Sequence, residues 1–539
     1  MKPFLTLHDP SPARSYYDRG LWAADTFYSL MAAHAERRPD ATALRDGRTT
    51  LDWRSLQARV DAMADDLREA GIHGGDRIAI WMSNRVEAVI AFLACSREGI
   101  ACNPSLHRSY TCAEIIDLLS ELQARALVTE DGWGADRNAR DFDAMLGELS
   151  FLKRVYKPAG FPTHIPDGAR APHANPDSVV YLAFTSGTTG RPKCVMHSCN
   201  TLLANARDLV RDWGLTERST ILTLSPLSHH IAWVAIAQWL VCGGQLVTND
   251  PPQGKTAMQW VIEAGATYVL GVPTHAMDIL AEQKRAGLSR LGQVEIFYMA
   301  GSPIPEVVAR DFVDQGITPQ NIYGMTECSS HQYTHPTDTK DVWISTCGRG
   351  GPAYEVRIWD PENPDEELPR GQSGNIGGRG AAMMLGYFAN QEATEKTFNR
   401  HGYLLSGDLG SFDENGNLRI EGRIKDLIIR GGHNIYPSRI ESLALTHPGV
   451  EKAAAFGVHD DRLGERVCLA VIGTLSAAQM LEHLATAGLS KFDMPEWYAA
   501  VAELPLTASG KILKRELSEM VKRGDLAPES VRYVEQTTE

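Results

Sequence analysis

Apolar and polar positions alternate in two different patterns along the first 330 residues. One helical repeat, spaced three or four positions apart, consists of Leu56, Val60, Met63 and Leu67. It is followed by Gly71, which predicts the end of that helix, and then by a short apolar run at 77–82 that predicts a buried strand. Further strand-like runs are 178–184, 220–225, 267–272, 294–300 and 321–323. Strands alternating with helices predict an α/β fold of mostly parallel sheets covered by helices on both faces.

The pattern changes after about residue 340, where short strands and turns replace the alternation. Strands are predicted at 355–359 and 374–379, and Asn415-Gly416 predicts the tip of a hairpin. This region indicates a small barrel or a distorted antiparallel sheet. Beyond Arg423 the chain mixes helices and strands, which indicates a separate α+β domain. The helices expected there are 438–445 and 477–487, and the strands are 452–458, 467–473 and 496–504.

Composition supports a folded, multidomain protein. The 539 residues exceed the length that one hydrophobic core supports, and 43% hydrophobic with 22% charged residues excludes wholesale disorder. The formal net charge of −14 argues against nucleic acid and anionic membranes as partners. An anionic substrate would therefore need a site built locally from backbone amides, cations or a metal.

Targeting and redox signals point to the cytoplasm. The nine cysteines are scattered without a C-x-x-C pair, which argues against disulfides and a structural zinc site. No secretory signal is visible at the N-terminus, and the most apolar helical stretch, 231–242, is too short to span a bilayer. We therefore expect a soluble cytoplasmic protein without an integral membrane segment, and a homodimer is compatible with the sequence.

The segment 185–193, T-S-G-T-T-G-R-P-K, has the chemistry of a phosphate cradle. It follows a predicted buried strand and precedes a helix expected to begin near His197. Gly187 and Gly190 allow the backbone to curl so that several N–H groups point at one anion. Its side-chain donors are Thr185, Ser186, Thr188, Thr189 and Lys193. The spacing differs from the Walker A loop, and a flexible surface loop is the alternative interpretation.

This loop resembles the signature of the adenylate-forming superfamily, which comprises acyl-CoA synthetases, luciferases and the adenylation domains of peptide synthetases. Further signatures follow in the family's order: Y-G-M-T-E at 323–327, S-G-D at 406–408, G-R-I-K-D at 422–426 and P-L-T-A-S-G-K-I at 505–512. The resemblance extends over about 27–517. It implies ATP, Mg²⁺ and CoA, with an N-terminal ATP- and acyl-binding domain over 1–422, a hinge at 423–426 and a mobile C-terminal domain over 427–539.

The resemblance also assigns the nucleotide contacts. It implies that Glu327 holds Mg²⁺ through the phosphates, that Thr326 donates to the α-phosphate and that Tyr323 stacks on adenine. Asp408 is expected to accept from both ribose hydroxyls, with Arg423 as the second ribose contact. The remaining residues implied near the adenine are Gly301, Ser302, Pro303 and Gly324. The alternatives are a core aromatic for Tyr323 and a turn-forming role for Asp408.

The resemblance makes Lys511 the catalytic lysine of the C-terminal domain. It would offset negative charge while a carboxylate oxygen attacks the α-phosphorus and pyrophosphate departs. The alternative is an exposed lysine, which is the expectation for Lys514 and Arg515. By the same resemblance, Lys425 lies at the hinge, and Gly431 and Gly432 admit a pantetheine thiol. A simple turn in R-G-G-H-N is the alternative for the two glycines.

The acyl site is expected at and directly after the stretch 225–233. By resemblance His229 lies at its mouth, as a gating or positioning residue. Its expected lining residues are His230, Ile231, Trp233 and Val234. No Asp occurs between 221 and 248, which disfavours an amino-acid substrate, and a core position is the alternative for Trp233. The family's usual carboxylates are replaced by Gln372 and Asn375, in a region expected to lie away from the nucleotide.

The sequence thus predicts an ATP-dependent carboxylate–CoA ligase that forms an acyl-adenylate and then a thioester. Residues 492–517 most resemble bacterial ligases for alicyclic acids of the cyclohexanecarboxylate type and for medium-chain acids. The partners expected are a small carboxylic acid, ATP and CoA. The alternatives are an acyl-AMP ligase that loads a carrier protein and a nucleotide-binding sensor without turnover.

Overall fold

The architecture comes from a computed structural model in which residues 2–163, 170–185, 192–507 and 511–533 are described. No helix within these ranges is long and apolar enough to cross a membrane. Up to residue 345 the helices are α1 Pro10–Asp18, α2 Phe27–Arg37, α3 Trp53–Glu69, α4 Val86–Glu98, α5 Cys112–Leu122, α6 Phe142–Gly147, α7 Cys199–Trp213, α8 His230–Cys242, α9 Ala257–Glu263, α10 Pro273–Arg285, α11 Glu306–Asp314 and α12 Lys340–Ser345.

The strands of the same region are β1 Thr42–Arg45, β2 Thr50–Asp52, β3 Arg77–Trp81, β4 Ala101–Asn103, β5 Ala126–Thr129, β6 Arg154–Tyr156, β7 Val179–Thr185, β8 Lys193–Ser198, β9 Thr220–Thr223, β10 Gln245–Thr248, β11 Tyr268–Gly271, β12 Ile296–Met299, β13 Thr318–Met325 and β14 Ser329–Tyr333. They form two sheets, in the orders β6-β5-β3-β4-β7-β8 and β14-β13-β12-β11-β9-β10-β1-β2. Pairing is parallel except at the edges β7–β8, β13–β14 and β1–β2. The predicted mostly parallel α/β fold is therefore confirmed.

A shared core lies between the two sheets and contains the helix α8. This helix is apolar around nearly its whole circumference, and its residues from His230 to Leu240 are all buried. A helix without a polar face must be covered on all sides, which explains its central position. Trp233 donates its indole N–H to the Leu227 carbonyl at 2.6 Å and packs on Phe92 at 4.3 Å. These contacts favour the core alternative for Trp233.

The helix expected near His197 begins two residues later, and the phosphate-cradle segment has a different setting. Residues 193–198 form the strand β8, which pairs antiparallel with β7 so that Thr185 lies opposite Lys193. The segment therefore closes a β-hairpin and does not lead into a helix. The apolar side chains of β8 are buried against the neighbouring core, which favours strand pairing over an earlier helix start.

The region after α12 forms a small antiparallel sheet. Its elements are β15 Tyr354–Trp359, β16 Gly374–Gly380, α13 Gln391–Glu395, β17 Leu404–Phe412 and β18 Leu418–Arg423. The sheet order is β15-β16-β17-β18, and the turn between β17 and β18 contains Asn415-Gly416 as predicted. The last register pair joins Asp408 to Arg423, and a short 3₁₀ helix, Ile424–Asp426, follows directly. That 3₁₀ helix lies at the expected joint, while its action as a hinge stays a prediction.

The C-terminal part has its own sheet and core. Its elements are β19 Ile428–Arg430, β20 His433–Ile435, α14 Pro437–Ala444, β21 Val450–Asp460, β22 Gly464–Gly473, α15 Ala477–Thr486, a 3₁₀ helix Lys491–Asp493, β23 Trp497–Ala500, α16 Lys514–Arg523 and β24 Glu529–Ser530. The strand order is β20-β19-β22-β23-β24, with β21 paired to β22. Lys514 corrects one expectation: its Nζ lies 2.7 Å from Glu441 Oε1, which ties α16 to α14 instead of leaving an exposed lysine.

Candidate active site

A carboxylate held from two sides lies where the small sheet meets β13. Tyr323 donates its hydroxyl to Asp408 Oδ2 at 2.9 Å, and Arg423 Nε donates to Asp408 Oδ1 at 2.7 Å. The charge of Asp408 raises the pKa of Arg423, so this guanidinium stays protonated. A carboxylate fixed in this way keeps lone pairs with which it can accept from two further hydroxyls. The arrangement suits a vicinal diol.

Asn375 contributes to the same turn, contrary to the expectation that its region lies away from the nucleotide site. Its Oδ1 accepts from the Gly407 N–H at 3.0 Å, one residue before Asp408. The Asp408 N–H in turn donates to Ser406 Oγ at 3.0 Å. Strand β16 runs beside β17, so the side chain of Asn375 reaches across to the turn. Asn375 and Gly407 are far apart in the sequence, so the sequence alone does not reveal this contact.

A second carboxylate, Glu327, is buried beside Lys193. Tyr387 donates its hydroxyl to Glu327 Oε1 at 2.8 Å, and Lys193 Nζ lies 4.7 Å from the centre of the Tyr387 ring. Burial raises the pKa of Glu327, while the Tyr387 hydrogen bond and the Lys193 charge oppose that rise. Glu327 could therefore bind a cation that also binds phosphate, and Lys193 could contact the phosphate itself.

Part of the phosphate-cradle segment can be located. Thr185 donates its hydroxyl to the Lys193 carbonyl at 3.3 Å, so the two ends of the segment meet beside Glu327. The intervening candidates Ser186, Gly187, Thr188, Thr189 and Gly190 lie outside the described residues. Their expected role in phosphate binding stays a prediction. The location of the two described ends is consistent with it.

His197 supports the turn that carries Thr326 and Glu327, and sequence reasoning did not identify it. Its Nε2–H donates to the Thr326 carbonyl at 2.7 Å, while Nδ1 accepts from Thr201 Oγ1 at 2.9 Å. Because a carbonyl can only accept, the ring must carry its proton on Nε2. Burial lowers the pKa of His197 to about 4, so the imidazole is neutral at physiological pH. The sequence signal was its position directly before the N-cap Ser198.

Lys511 extends from the C-terminal part into this site. A Cβ added at Gly301 would lie 3.3 Å from Lys511 Cε, 3.4 Å from Val272 Cγ1 and 3.6 Å from Ile231 Cδ1. Gly301 also has φ +97°, a conformation that favours glycine. Burial, aided by the charge of Arg423, lowers the pKa of Lys511 to about 8. The catalytic, nucleotide and acyl candidates therefore meet around one lysine, and Ser302 and Pro303 follow Gly301 at the partly exposed rim.

Lys511 has a tight local support. Thr507 N–H donates to the Lys511 carbonyl at 2.7 Å, and the Lys511 N–H donates to Thr507 Oγ1 at 3.0 Å. Residues 508–510 lie outside the described residues. The bonds to Thr507 hold the backbone of Lys511 and limit the positions open to its ammonium group.

His229 caps α8 next to Lys511. Its Nδ1 accepts from the Ile231 N–H at 3.4 Å, which satisfies one amide at the helix start. Burial lowers its pKa well below the usual value, and the charge of Lys511 adds to this effect. A neutral imidazole beside an ammonium group fits the expected positioning role. It is a poor general base at neutral pH.

His230 is held from both ring nitrogens. Nε2 lies 3.0 Å from Ser329 Oγ, and Nδ1 lies 3.2 Å from the Tyr181 hydroxyl. Burial lowers the pKa of His230 to about 3. Gly324 makes room for Ser329, because a Cβ on Gly324 would overlap the Ser329 carbonyl. Val234, one helical turn beyond His230, is buried in the same core.

Three further candidates are exposed. Lys425 is exposed in the 3₁₀ helix, and Gly431 and Gly432 form the exposed turn between β19 and β20 with φ +58° and +85°. The Gly431 N–H donates to the Leu463 carbonyl at 2.7 Å, within the C-terminal part itself. This geometry accounts for both glycines as hairpin residues. Their role toward a thiol stays a prediction.

The donor set for a metal is sparse. Within the described part of the chain, no group of three or more His, Cys, Asp or Glu residues could hold a metal ion. Glu327 is therefore compatible with Mg²⁺ only when substrate phosphates complete the coordination, which is a usual mode for this ion.

Comparison with known proteins identifies the family of this chain. The family model described as AMP-binding enzyme matches residues 31–388, and the AMP-binding enzyme C-terminal domain matches residues 439–511. The medium-chain fatty-acid–CoA ligase of Escherichia coli (strain K12) is 28% identical over 97% of this chain and 95% of its own length. A salicylyl-CoA synthase / salicylate adenylyltransferase from Streptomyces sp is 30% identical over 95% and 96%. The crystal structure of ATP-bound MatB from Rhodopseudomonas palustris superposes with TM-score 0.80 at 28% identity, covering 92% of this chain and 99% of that one.

Proposed function

The chain belongs to the AMP-binding enzyme family and is an AMP-forming acid–thiol ligase, and we propose that its substrate is an alicyclic or medium-chain carboxylic acid. The observation that supports adenylation of a carboxylic acid at this site is the approach of Lys511 to Gly301 and Ile231, within the electrostatic reach of Glu327 and Asp408. A cation from one part of the chain thus meets the candidate nucleotide and acyl residues of the other.

The first half-reaction joins the acid to AMP. A carboxylate oxygen attacks the α-phosphorus of ATP, the bond to the bridging oxygen breaks, and pyrophosphate leaves. Lys511 offsets the negative charge that gathers between these groups, since its side chain lies beside Gly301, next to Ile231 of the acyl candidates. Asp408 orients the ribose, and Lys193 balances phosphate charge. Mg²⁺ held through Glu327 would supply further charge neutralisation at the phosphates.

The second half-reaction transfers the acyl group to CoA. The thiol sulfur attacks the carbonyl carbon of the acyl-adenylate, the thiol proton passes to solvent, and AMP departs with the electrons of the broken C–O bond. Because His229 and His230 are kept neutral by burial, we assign them positioning roles rather than proton transfer. The exposed Gly431-Gly432 turn is the proposed approach for the slender pantetheine arm.

The acyl group is proposed to be uncharged. Helix α8 contains no charged residue, and the segment 221–248 contains no Asp or Glu that could pair with a substrate ammonium. Val234 and Ile231 offer apolar surface next to Gly301. The printed names of the relatives include a medium-chain fatty acid and salicylate, both of which carry a largely apolar body.

Transfer of the acyl-adenylate to a carrier protein is the second candidate. The name of the Streptomyces relative contains salicylate adenylyltransferase beside CoA synthase, so it names the adenylation step apart from CoA transfer. The two candidates share the adenylation step and differ in the thiol that ends the cycle. The presence or absence of CoA therefore separates them.

The test is pyrophosphate release from ATP and Mg²⁺ across a panel of carboxylic acids, with and without CoA. Release that depends on alicyclic or medium-chain acids and continues only with CoA supports the ligase. Release that is slow and indifferent to CoA supports carrier loading, and no acid-dependent release by folded protein contradicts both. Lys511→Ala should abolish release, whereas the control Lys522→Ala, at a side chain 78% exposed, should not change it.

A further inference from the structure

Residues 384–388, which we call the Tyr387 segment, pair with the outer edge of β8. The Leu385 N–H donates to the Met196 carbonyl at 2.8 Å, and Tyr387 forms an antiparallel bridge with Val195. Since β8 is the last strand of its sheet, this pairing places the segment at the sheet edge. The other side of an edge segment must be covered by another part of the chain or left to solvent.

The Tyr387 segment holds the buried Glu327 at two points. The Met384 N–H donates to the Glu327 carbonyl at 2.7 Å, and the Tyr387 hydroxyl donates to Glu327 Oε1 at 2.8 Å. The Tyr387 ring also lies 4.7 Å from Lys193 Nζ. The backbone and the side chain of Glu327 therefore both depend on where this segment lies.

Residues 2–8, which we call the strap, precede α1 and cover the outer side of the Tyr387 segment. The Leu7 N–H donates to the Leu385 carbonyl at 3.0 Å, and Leu7 Cγ lies 3.7 Å from the Cβ position of Gly386. Leu7 is 38% exposed and Leu5 is 66% exposed, so these two side chains bury little apolar surface. A segment with few buried contacts opens at a low free-energy cost.

Phe4 fastens the strap through a buried arginine. Its ring centre lies 5.6 Å from that of Phe388, and the guanidinium carbon of Arg77 lies 5.7 Å from the Phe4 ring and 5.6 Å from the Phe388 ring. Arg77, at the start of β3, also donates from Nη1 to the Lys2 carbonyl at 3.4 Å. A buried guanidinium is attracted to both rings, so it joins the strap, the Tyr387 segment and the sheet at one point.

We propose that Phe4 and Arg77 are positioning residues for the phosphate side of the nucleotide site. This inference rests on the proposed function and assigns a further part of the chain to it. Through the Tyr387 segment, the strap holds Glu327 and Lys193 in place for the phosphates of ATP. With the strap docked, the segment is held from both sides. With the strap released, it is held from the side of β8, and Glu327 loses a fixed donor.

The first test measures the backbone without substrate. Hydrogen–deuterium exchange reports local opening of the Tyr387 segment, because the Leu385 and Phe388 amides are hydrogen-bonded to β8. Phe4→Ala and deletion of residues 2–8 should each raise the exchange rate of this segment about fivefold. Leu5→Ala is the matched control, since this exposed side chain lies in the strap, and it should exchange like the wild type.

The second test measures the binding of ATP by calorimetry, with Mg²⁺ and without an acid. Phe4→Ala should raise the Kd about fivefold, while the kcat of acid-dependent pyrophosphate exchange at saturating ATP should stay near the wild-type value. Leu5→Ala should bind ATP like the wild type. Combining Phe4→Ala with Tyr387→Phe should add little to the Kd of Tyr387→Phe alone, because both changes act on one contact.

The outcomes separate the strap from a purely structural role and from the proposed function. Faster exchange of the segment with a raised Kd supports the inference, and an unchanged Kd after deletion of residues 2–8 overturns it. A lowered Tm with a wild-type Kd in Phe4→Ala assigns the strap to folding alone and also overturns it. Independent losses in the double variant overturn the route through Tyr387. A wild type that binds ATP without acid-dependent exchange contradicts the proposed function, and the Kd comparison then still decides the inference.

Discussion

The ammonium group of Lys511 is buried, so its protonation, and with it the rate of adenylation, should depend on pH. Burial lowers its pKa to about 8, so the ammonium is present below that pH and is lost as the pH rises through it. We predict that kcat/KM for ATP falls about tenfold per pH unit above pH 8, since this parameter reports the free enzyme. ATP–pyrophosphate exchange between about pH 6.5 and pH 10 measures it.

Lys511→Arg is the control for that prediction. A guanidinium keeps its charge throughout this range, so the variant should be slower at all pH values but should lack the alkaline decline. A wild-type profile that stays flat to about pH 10 would contradict the assigned role of the ammonium.

Tyr387 should control the affinity of Glu327 for a cation. Its hydroxyl is a donor to the buried carboxylate, so Tyr387→Phe leaves that carboxylate less stabilised and raises its pKa further. We expect the Mg²⁺ concentration for half-maximal exchange to rise about tenfold. Tyr17→Phe is the matched control, because Tyr17 also donates to a carboxylate, Asp177, at a remote surface. An equal Mg²⁺ requirement in both variants would contradict the prediction.

At the residue scale, the sequence predicts the charged residues of the site better than the residues that hydrogen-bond to them. Lys511, Asp408 and Glu327 stand in recognisable motifs, and the structure brings them into one site. Tyr387 lies 60 positions from Glu327, and no local pattern connects the two. Such partners depend on tertiary packing, so a single sequence does not reveal them.

At the scale of elements, the strand β8 joins the phosphate-cradle segment to the Thr326–Glu327 turn through His197. We predict that His197→Ala leaves the Thr326 carbonyl without its donor, lowers the stability by about 1–3 kcal/mol and slows adenylation about tenfold. His197→Gln can present an amide N–H at a similar reach and should recover most of the rate. Thermal unfolding and pyrophosphate exchange measure the two effects.

A purely structural role for His197 would give a different result. The two variants would then lose rate only in proportion to their loss of folded protein, and the Mg²⁺ and ATP dependence of the remainder would match the wild type. A shift of the KM for ATP in His197→Ala that His197→Gln reverses is the signature of positioning.

The elements themselves follow from the sequence where periodicity is strong. The strands β3, β7 and β11 lie within one residue of their predicted ranges, and α3 contains the predicted repeat 56–67 and ends before Gly71. β8 was missed because its short run K-C-V-M-H-S has no clear alternation, and its strand state depends on pairing with β7. Local preference therefore determined the elements with a clear pattern, while pairing determined β8.

At the scale of the whole molecule, Lys511 belongs to the C-terminal part, and an ion pair connects that part to the N-terminal part. Lys452 on β21 lies 3.0 Å from Asp278 on α10, and α10 follows directly after Val272, which lies beside Gly301 and the side chain of Lys511. The predicted mobility of the C-terminal part would let ATP and the acid enter the site that Lys511 encloses, and the part would then dock again. The Lys452–Asp278 pair favours the docked arrangement.

We predict that Lys452→Glu slows adenylation by up to about fivefold, because an exposed pair contributes at most about 1 kcal/mol and the new carboxylate repels Asp278. Combining Lys452→Glu with Asp278→Lys restores the attraction with reversed polarity and should recover the rate. The loss should shrink at high salt, since screening weakens exposed pairs. Conversion of a supplied acyl-adenylate to the thioester should not share this loss, because that step no longer needs Lys511 at the phosphates. Equal losses in both half-reactions, or no recovery in the double variant, would show that Lys452 acts through folding of its own domain and not through docking.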